Sequence, residues 1–299
     1  MTKPILLTGA AGLIGRAVRK RLQARGDEVI AVDRLPGEGI IAFDLTEVHR
    51  LHEIARGGIG SIIHSGAISG PMVAQDNPHL IVQSNVVGTA NILEIARIGD
   101  VRRVVFLSSV SAFGSTPAGM DLVPEDVPLM PTSVYGASKA MGEHLVNAYA
   151  LQHGVDGVSV RPAWVYGPHR TTDCAIRTMI EDALENLTTR FAYGRDFFKQ
   201  YVHVDDIADG VIAAHDAATL PRRSYTLTGA SCVTLGEVGE IVRRILPQAR
   251  IEMADGKDPV DDVQARFDIS AAARDLGYVP GYTLEAGIGH YAEWIASRR

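Results

Sequence analysis

The apolar run Pro4-Ile-Leu-Leu-Thr8 passes directly into Gly9-Ala-Ala-Gly12-Leu-Ile-Gly15, and then into a helix-like pattern that closes near Gly26. Few features narrow the choice of fold as much. A short run that is apolar throughout suits a strand buried on both faces, as in parallel sheets covered by helices. Gly9 allows a sharp turn, Gly12 lets backbone N–H groups approach a pyrophosphate, and Gly15 lets the helix pack close to the strand. The helix N-terminus then faces the anion. Gly9, Ala11, Gly12, Leu13, Ile14 and Gly15 are therefore candidate contacts to a dinucleotide. A second strand, Glu28-Val-Ile-Ala-Val32, ends in Asp33 at the distance such a motif requires. A carboxylate there hydrogen-bonds the adenosine ribose hydroxyls and repels a 2′-phosphate, so NAD is expected over NADP. Arg34 beside it softens that preference.

Three further segments repeat the theme. Ala42-Phe-Asp44-Leu45 closes a third short strand and places Asp44 and Leu45 by the adenine. Ser61-Ile-Ile-His64 runs into the small residues Ser65, Gly66 and Ala67, and Val104-Val-Phe-Leu107 runs into Ser108 and Ser109. Small residues at the carboxyl ends of parallel strands leave room for a nucleotide across the sheet edge. Strands and helices alternate to about residue 165, which predicts an α/β chain with a Rossmann-type doubly wound parallel sheet.

Tyr135 and Lys139 lie four residues apart in Val134-Tyr-Gly-Ala-Ser-Lys139, one helical turn, and so share a face. A phenol has a pKa of about 10, and a nearby ammonium favours its phenolate. A drop of about three units corresponds to roughly 4 kcal/mol, within reach of one close cation aided by a positively charged nicotinamide. This spacing recurs by chance on many helices, and its company gives it meaning. Ser109, at a strand end ahead of this helix, can hydrogen-bond the oxygen that Tyr135 deprotonates.

Together, Thr8–Gly15, Asp33, Asp44-Leu45, Asn85, Ser108-Ser109, Tyr135-x-x-x-Lys139 and Arg161-Pro-Ala-Trp-Val-Tyr-Gly167-Pro168 resemble an extended short-chain dehydrogenase/reductase, and more narrowly the NAD-dependent epimerase/dehydratase family. The likeness runs nearly end to end, through His203-Val-Asp205-Asp206 and Asp268-Ile-Ser…Leu276-Gly-Tyr…Pro280. It implies a catalytic triad of Ser109, Tyr135 and Lys139, and hydride exchange between a sugar-type carbon and nicotinamide. It also implies cofactor contacts from Leu107, Ser108, Tyr135, Lys139, Pro162, Ala163 and Val165. Asn85 matches the position that steadies the active-site lysine and the helix start.

The departures bear on the substrate. Nucleotide-sugar members usually carry Asn where this chain has Trp164. They carry an arginine for the diphosphate where it has Lys199, and a second arginine near a stretch that here reads Asp258-Pro-Val-Asp261. A diphosphate favours forked donors, and Arg to Lys is not conservative there. Gly66-Ala-Ile-Ser69-Gly-Pro is similar to a segment of uronate dehydrogenases, and the layout also resembles aldonate dehydrogenases. By that likeness Ser69 and Ser111 contact substrate oxygens and Arg170 pairs with a carboxylate, with Ser109, Tyr135 and Trp164 beside them. His169 and His203 are expected to be structural or solvent-facing, and Asp205 and Asp206 to cap a helix over Ile207–His215.

The expected reaction is NAD-dependent oxidation of a small sugar or sugar acid. The alternative is a nucleotide-sugar 4-epimerase that returns the hydride to a UDP-sugar. A dehydratase is disfavoured, since Val110-Ser111 stands where those enzymes place Asp-Glu. A non-catalytic nucleotide sensor would be expected to have lost Tyr135 or Lys139.

At 299 residues the chain can bury a sizeable core. Residues 1–167 with about 201–229 are expected to form the NAD-binding part. About 168–200 and 230–299 are expected to form a small, discontinuous C-terminal substrate-binding lobe. A formal charge of −6 gives no basic stripe for nucleic acid, and no apolar run reaches the length of a membrane span. Cys174 and Cys232, without Cys-x-x-Cys spacing, suit a reducing cytoplasm and no metal site. Apolar faces at about 80–98 and 137–153 imply, by the family likeness, a homodimer.

Overall fold

The computed structural model describes residues 3–229 and 231–299. Its spine is a seven-stranded sheet in the order β11-β7-β5-β4-β1-β2-β3, every neighbouring pair parallel. In chain order its first half contains β1 (Ile5–Thr8), α1 (Leu13–Arg25), β2 (Val29–Asp33), β3 (Ile40–Ala42), α2 (Val48–Arg56) and β4 (Ser61–His64). Then come α3 (Pro78–Val82), α4 (Gly88–Ile98), β5 (Val104–Leu107), a two-residue β6 (Leu122–Val123), α5 (Val134–His153) and β7 (Gly157–Pro162). β1, β4, β5 and β7 are buried along their whole length, as runs without polar alternation must be when helices cover both faces. Strand order reverses between β1 and β4, which opens a crevice at the strands' carboxyl ends, where ligands bind in such sheets.

One face of the sheet packs with Val18 and Leu22 of α1 and with Ile207, Ala208 and Val211 of α7 (Val204–Asp216). The other face packs with Leu51 of α2, Ile92 and Leu93 of α4 and Val146 of α5. Gly9 sits at φ +70°, a left-handed conformation that glycine adopts without a Cβ penalty. A Cβ on Gly15 would run into the Gly9 carbonyl, so the turn and the first helix touch backbone to backbone.

The rest of the chain adds β8 (Trp164–Tyr166), α6 (Ala175–Leu184), β9 (Thr188–Phe191), β10 (Phe198–His203), β11 (Ser224–Leu227) and β12 (Cys232–Thr234). It ends with α8 (Leu235–Ile245), β13 (Arg250–Met253), β14 (Arg266–Phe267), α9 (Ser270–Leu276) and α10 (Leu284–Ala296). A second core gathers Ile176, Met179, Val238, Val242, Ile288 and Tyr291 between α6, α8 and α10. β8 and β10 do not join the large sheet; they pair in parallel, with β12 antiparallel at their edge, and form a separate three-stranded sheet. Ala271, Ala272 and Tyr278 pack into the first core, because α9 lies against α7 and β11. Among the described residues no helix is long and apolar enough to cross a membrane.

Candidate active site

A cavity of about 870 Å³ follows the carboxyl edge of the sheet, from the Gly9–Gly15 turn to Tyr135 and on to Trp164 and Arg170. Every candidate site residue named from the sequence lines it except Asn85. Asn85 is buried in a single π-helical turn, Gln83–Val87, between α3 and α4. Its Oδ1 accepts from the Ile68 N–H at 2.8 Å, and its Nδ2 donates to the Ile68 carbonyl at 3.0 Å and to Ser138 Oγ at 2.9 Å. As a cofactor contact Asn85 is therefore corrected. It ties the loop after β4 to α5 from behind, and the π turn aims it there; such turns gather at functional sites.

Asp33 holds the Gly-rich turn directly: its Oδ2 accepts the Ala11 N–H at 2.9 Å and its Oδ1 accepts the Leu35 N–H at 2.9 Å. Asp44 Oδ1 accepts from the Thr46 N–H at 2.9 Å. The carboxylates at the ends of β2 and β3 thus reach the cavity from fixed positions.

α5 begins at Ser133, whose side chain accepts the Gly136 N–H and sets the register that puts Tyr135, Lys139 and Glu143 on one face. Glu143 accepts from Ser108 Oγ at 2.5 Å and pairs with Arg161 at 2.6 Å, both partners buried. Removing one partner of such a pair strands a buried charge, at about 3–5 kcal/mol. The pair fixes the floor under the triad.

The expectation that Lys139 makes the Tyr135 phenol acidic needs correction. Burial pushes the phenol up, and the influences that draw it back are hydrogen bonds from Ser69 and Ser109 and the charge of Arg170. Tyr135 OH lies 3.4 Å from Ser69 Oγ. Lys139 Nζ instead donates to the Leu107 carbonyl at 2.7 Å, and burial lowers its pKa to about 7. Burial outweighs the charge of Glu143, one turn along the helix, which favours the ammonium. Beneath it, the His64 imidazole bridges Thr8 Oγ1 at 2.7 Å and Thr89 Oγ1 at 3.0 Å, and burial holds it neutral, with a pKa of about 3.

On the substrate side Arg170 gives its Nη groups to the carbonyls of Val165 and Asp173, and its buried Nε has no partner. Among the described residues no carboxylate pairs with it. Lys199 is committed elsewhere: Asp258 lies at 2.9 Å, Asp261 at 2.6 Å and the Trp164 ring at 4.1 Å. His169, expected to be structural or solvent-facing, lines the cavity and packs edge-on against Trp294. His203, not Asp205 or Asp206, caps α7: its Nδ1 accepts the Asp205 N–H at 3.2 Å. Asp205 pairs with Arg21 and Asp206 accepts the Gly281 N–H. His203, Asp205 and His290 bring ligand-type atoms within 4.8 Å of one another, but the Arg21 pair and the Asp205 N–H already occupy two of them. The cavity wall formed by Arg16, Trp294 and Arg298 had no signal in sequence, because α10 reaches it from the far end of the chain.

Residues 5–227 match the NAD dependent epimerase/dehydratase family. The chain belongs to that family. It is 27% identical to UDP-glucuronate 4-epimerase 4 of Arabidopsis thaliana, covering 98% of this chain and 75% of the relative. It is 28% identical to UDP-glucuronate 4-epimerase of Thermodesulfobacterium geofontis, covering 97% and 95%. Its fold superposes on Thermus thermophilus UDP-glucose 4-epimerase in complex with NAD, with a TM-score of 0.86, 25% identity and coverage of 99% and 100%. The chain is thus an enzyme of an NAD-dependent family with NAD as its cofactor.

Proposed function

We propose that the chain exchanges a hydride between NAD and a hydroxyl-bearing carbon of a sugar acid, with Ser109, Tyr135 and Lys139 as its catalytic set. The observation that carries this reading is the Arg170 guanidinium, which has no carboxylate partner among the described residues, in one cavity with the buried Tyr135 hydroxyl and the Gly-rich turn. Gly12, Leu13 and Ile14 would hold the pyrophosphate at the start of α1, and Asp33 the adenosine ribose. The nicotinamide ring supplies the hydride acceptor. Tyr135 takes the hydroxyl proton, Ser109 and Ser69 orient the oxygen, and Arg170 holds the carboxylate. Lys139, with a pKa of about 7, takes up and releases a proton near neutral pH beside the phenol.

Two outcomes share this step. The relatives support return of the hydride, a UDP-sugar 4-epimerase, over net oxidation by a dehydrogenase. One observation favours net oxidation of a short sugar acid: Lys199 is held between two carboxylates, and an anionic pair there opposes a diphosphate. Incubation with NAD and panels of uronates, aldonates and UDP-sugars, read by NADH absorbance and by sugar interconversion, separates them. Interconversion of a UDP-sugar without net NADH supports the epimerase, and stoichiometric NADH with a free acid supports the dehydrogenase. NAD binding with no turnover of any of these sugars refutes both. We also propose a homodimer through α4 and α5, whose exposed Ile98, Met141 and Leu151 suit a partner helix pair. Light scattering at twice the monomer mass supports it; a monomer refutes it.

A further inference from the structure

The last turn of α10 lies across the cavity from the first turn of α1. Trp294 and Arg298 line the same space as Gly12, Leu13, Ile14 and Arg16, although nearly the whole chain separates them in sequence. His169 completes this wall: its ring packs edge-on against Trp294, with centroids 4.9 Å apart, and the Arg298 guanidinium stacks over the Trp294 ring at 4.2 Å. Arg16 spends its Nε on the Ala11 carbonyl, and among the described residues neither Arg16 nor Arg298 has a carboxylate partner. Lys20, one turn beyond Arg16, adds a third cation. Burial and then the charges of Arg298, Arg16 and Lys20 lower the His169 pKa, a sign that these cations converge on one place.

Most surface arginines of this chain are paired, as the run of ion pairs along α1 illustrates: Arg21 with Asp205 and Asp209, and Arg25 with Asp27 and Asp216. Cations left without anions around the start of a glycine-rich helix point to an anion that arrives with the ligand. We propose that Arg298 and Arg16, with Arg298 steadied by the Trp294 ring, bind the outward-facing pyrophosphate oxygens of NAD, so that the C-terminal helix forms part of the cofactor site. This rests on NAD as the cofactor and adds ligands from a part of the chain outside the Gly-rich motif. Backbone N–H groups of the turn hold the inner oxygens, and the guanidiniums cover the outer ones with charge-assisted bonds. The substrate lobe, which carries α10, is thereby tied to cofactor occupancy.

The test is calorimetric titration of the full chain with ADP-ribose, which carries the pyrophosphate without nicotinamide, and with NAD. Arg298→Ala and Arg16→Ala are each expected to weaken both ligands by about threefold to tenfold, and Arg298→Lys by less. The salt dependence of ADP-ribose binding should flatten in the alanine variants, a readout that a purely structural role would not move. Arg298 is exposed in a terminal turn, so its variants should fold, and an unchanged thermal midpoint checks this. Wild-type affinity and wild-type salt dependence in Arg298→Ala and Arg16→Ala overturn the proposal while leaving NAD binding intact. Failure of the unaltered chain to bind either ligand overturns both the proposal and the cofactor on which it rests.

Discussion

Lys199→Met is expected to destabilise the protein far more than it affects affinity for any substrate. The side chains of Lys199, Asp258 and Asp261 are 9%, 12% and 5% exposed, and the ammonium touches both carboxylates. Removing the cation leaves two buried carboxyls, the second of which can ionise only against burial and the charge of the first. Breaking a buried pair in this way costs about 3–5 kcal/mol, which for a chain of this size lowers Tm by on the order of 10 °C. The cost also depends on pH. Burial, with the charge of Asp258, already pushes the Asp261 carboxyl up to about 7, against the pull of Lys199, while Asp258 is drawn below the usual range by Lys199 despite its own burial. The folded state therefore binds more protons than the unfolded state between about pH 4 and 7, and stability from Asp261 falls as pH rises through that window. Without Lys199 the carboxyl climbs further, so the gap between variant and unaltered protein should be wide at pH 8 and narrower at pH 5.5. Thermal unfolding at those two pH values measures it. Adding Asp261→Asn to Lys199→Met should recover part of the loss. An unchanged Tm in Lys199→Met, with KM for a UDP-sugar raised instead, would make Lys199 a diphosphate ligand and not a structural cation.

Tyr135→Phe should lower hydride transfer by about 10²–10⁴ and leave NAD affinity near its starting value; retention of the rate would remove Tyr135 from the chemistry. Arg170→Met should raise KM for an acid substrate about thirtyfold, from roughly 2 kcal/mol for a lost buried charge partner, with a smaller change in kcat, and equal KM values would remove the anchor. For His64 the folded imidazole sits at about 3 and the unfolded one at 6.5. The unfolded state therefore gains protons first, and stability that is full above pH 6.5 falls as pH drops toward 3. This one group accounts for about 2 kcal/mol at pH 5. Urea unfolding of His64→Gln should show a flatter change between pH 7 and 5; parallel curves would contradict it.

Local chemistry made much of this protein legible. The Gly9–Gly15 turn, the carboxylate ending β2 and the Tyr135/Lys139 spacing each depend on neighbours a few residues away, and each contributes to the lining of one cavity. What escaped was set by distant partners. Lys139 has Tyr135 as its neighbour on the helix, but the Leu107 carbonyl at the end of β5 takes its ammonium. Asp205 and Asp206 look like caps until Arg21 and the Gly281 N–H claim them and His203 caps the helix. Asn85 lies in a π turn, and its amide bonds Ile68 and Ser138 and stays out of the cavity. The Lys199 cluster brings together residues about sixty positions apart, a distance at which no periodicity speaks.

The most direct test is a single-turnover experiment that mixes the protein with stoichiometric NAD and a uronate, an aldonate or a UDP-sugar and follows absorbance of the reduced nicotinamide. Reduced cofactor is expected with at least one sugar, lasting for net oxidation or transient for epimerisation, and it should disappear in Tyr135→Phe. Turnover of a sugar with no reduced nicotinamide formed, or the same signal from Tyr135→Phe, would contradict it.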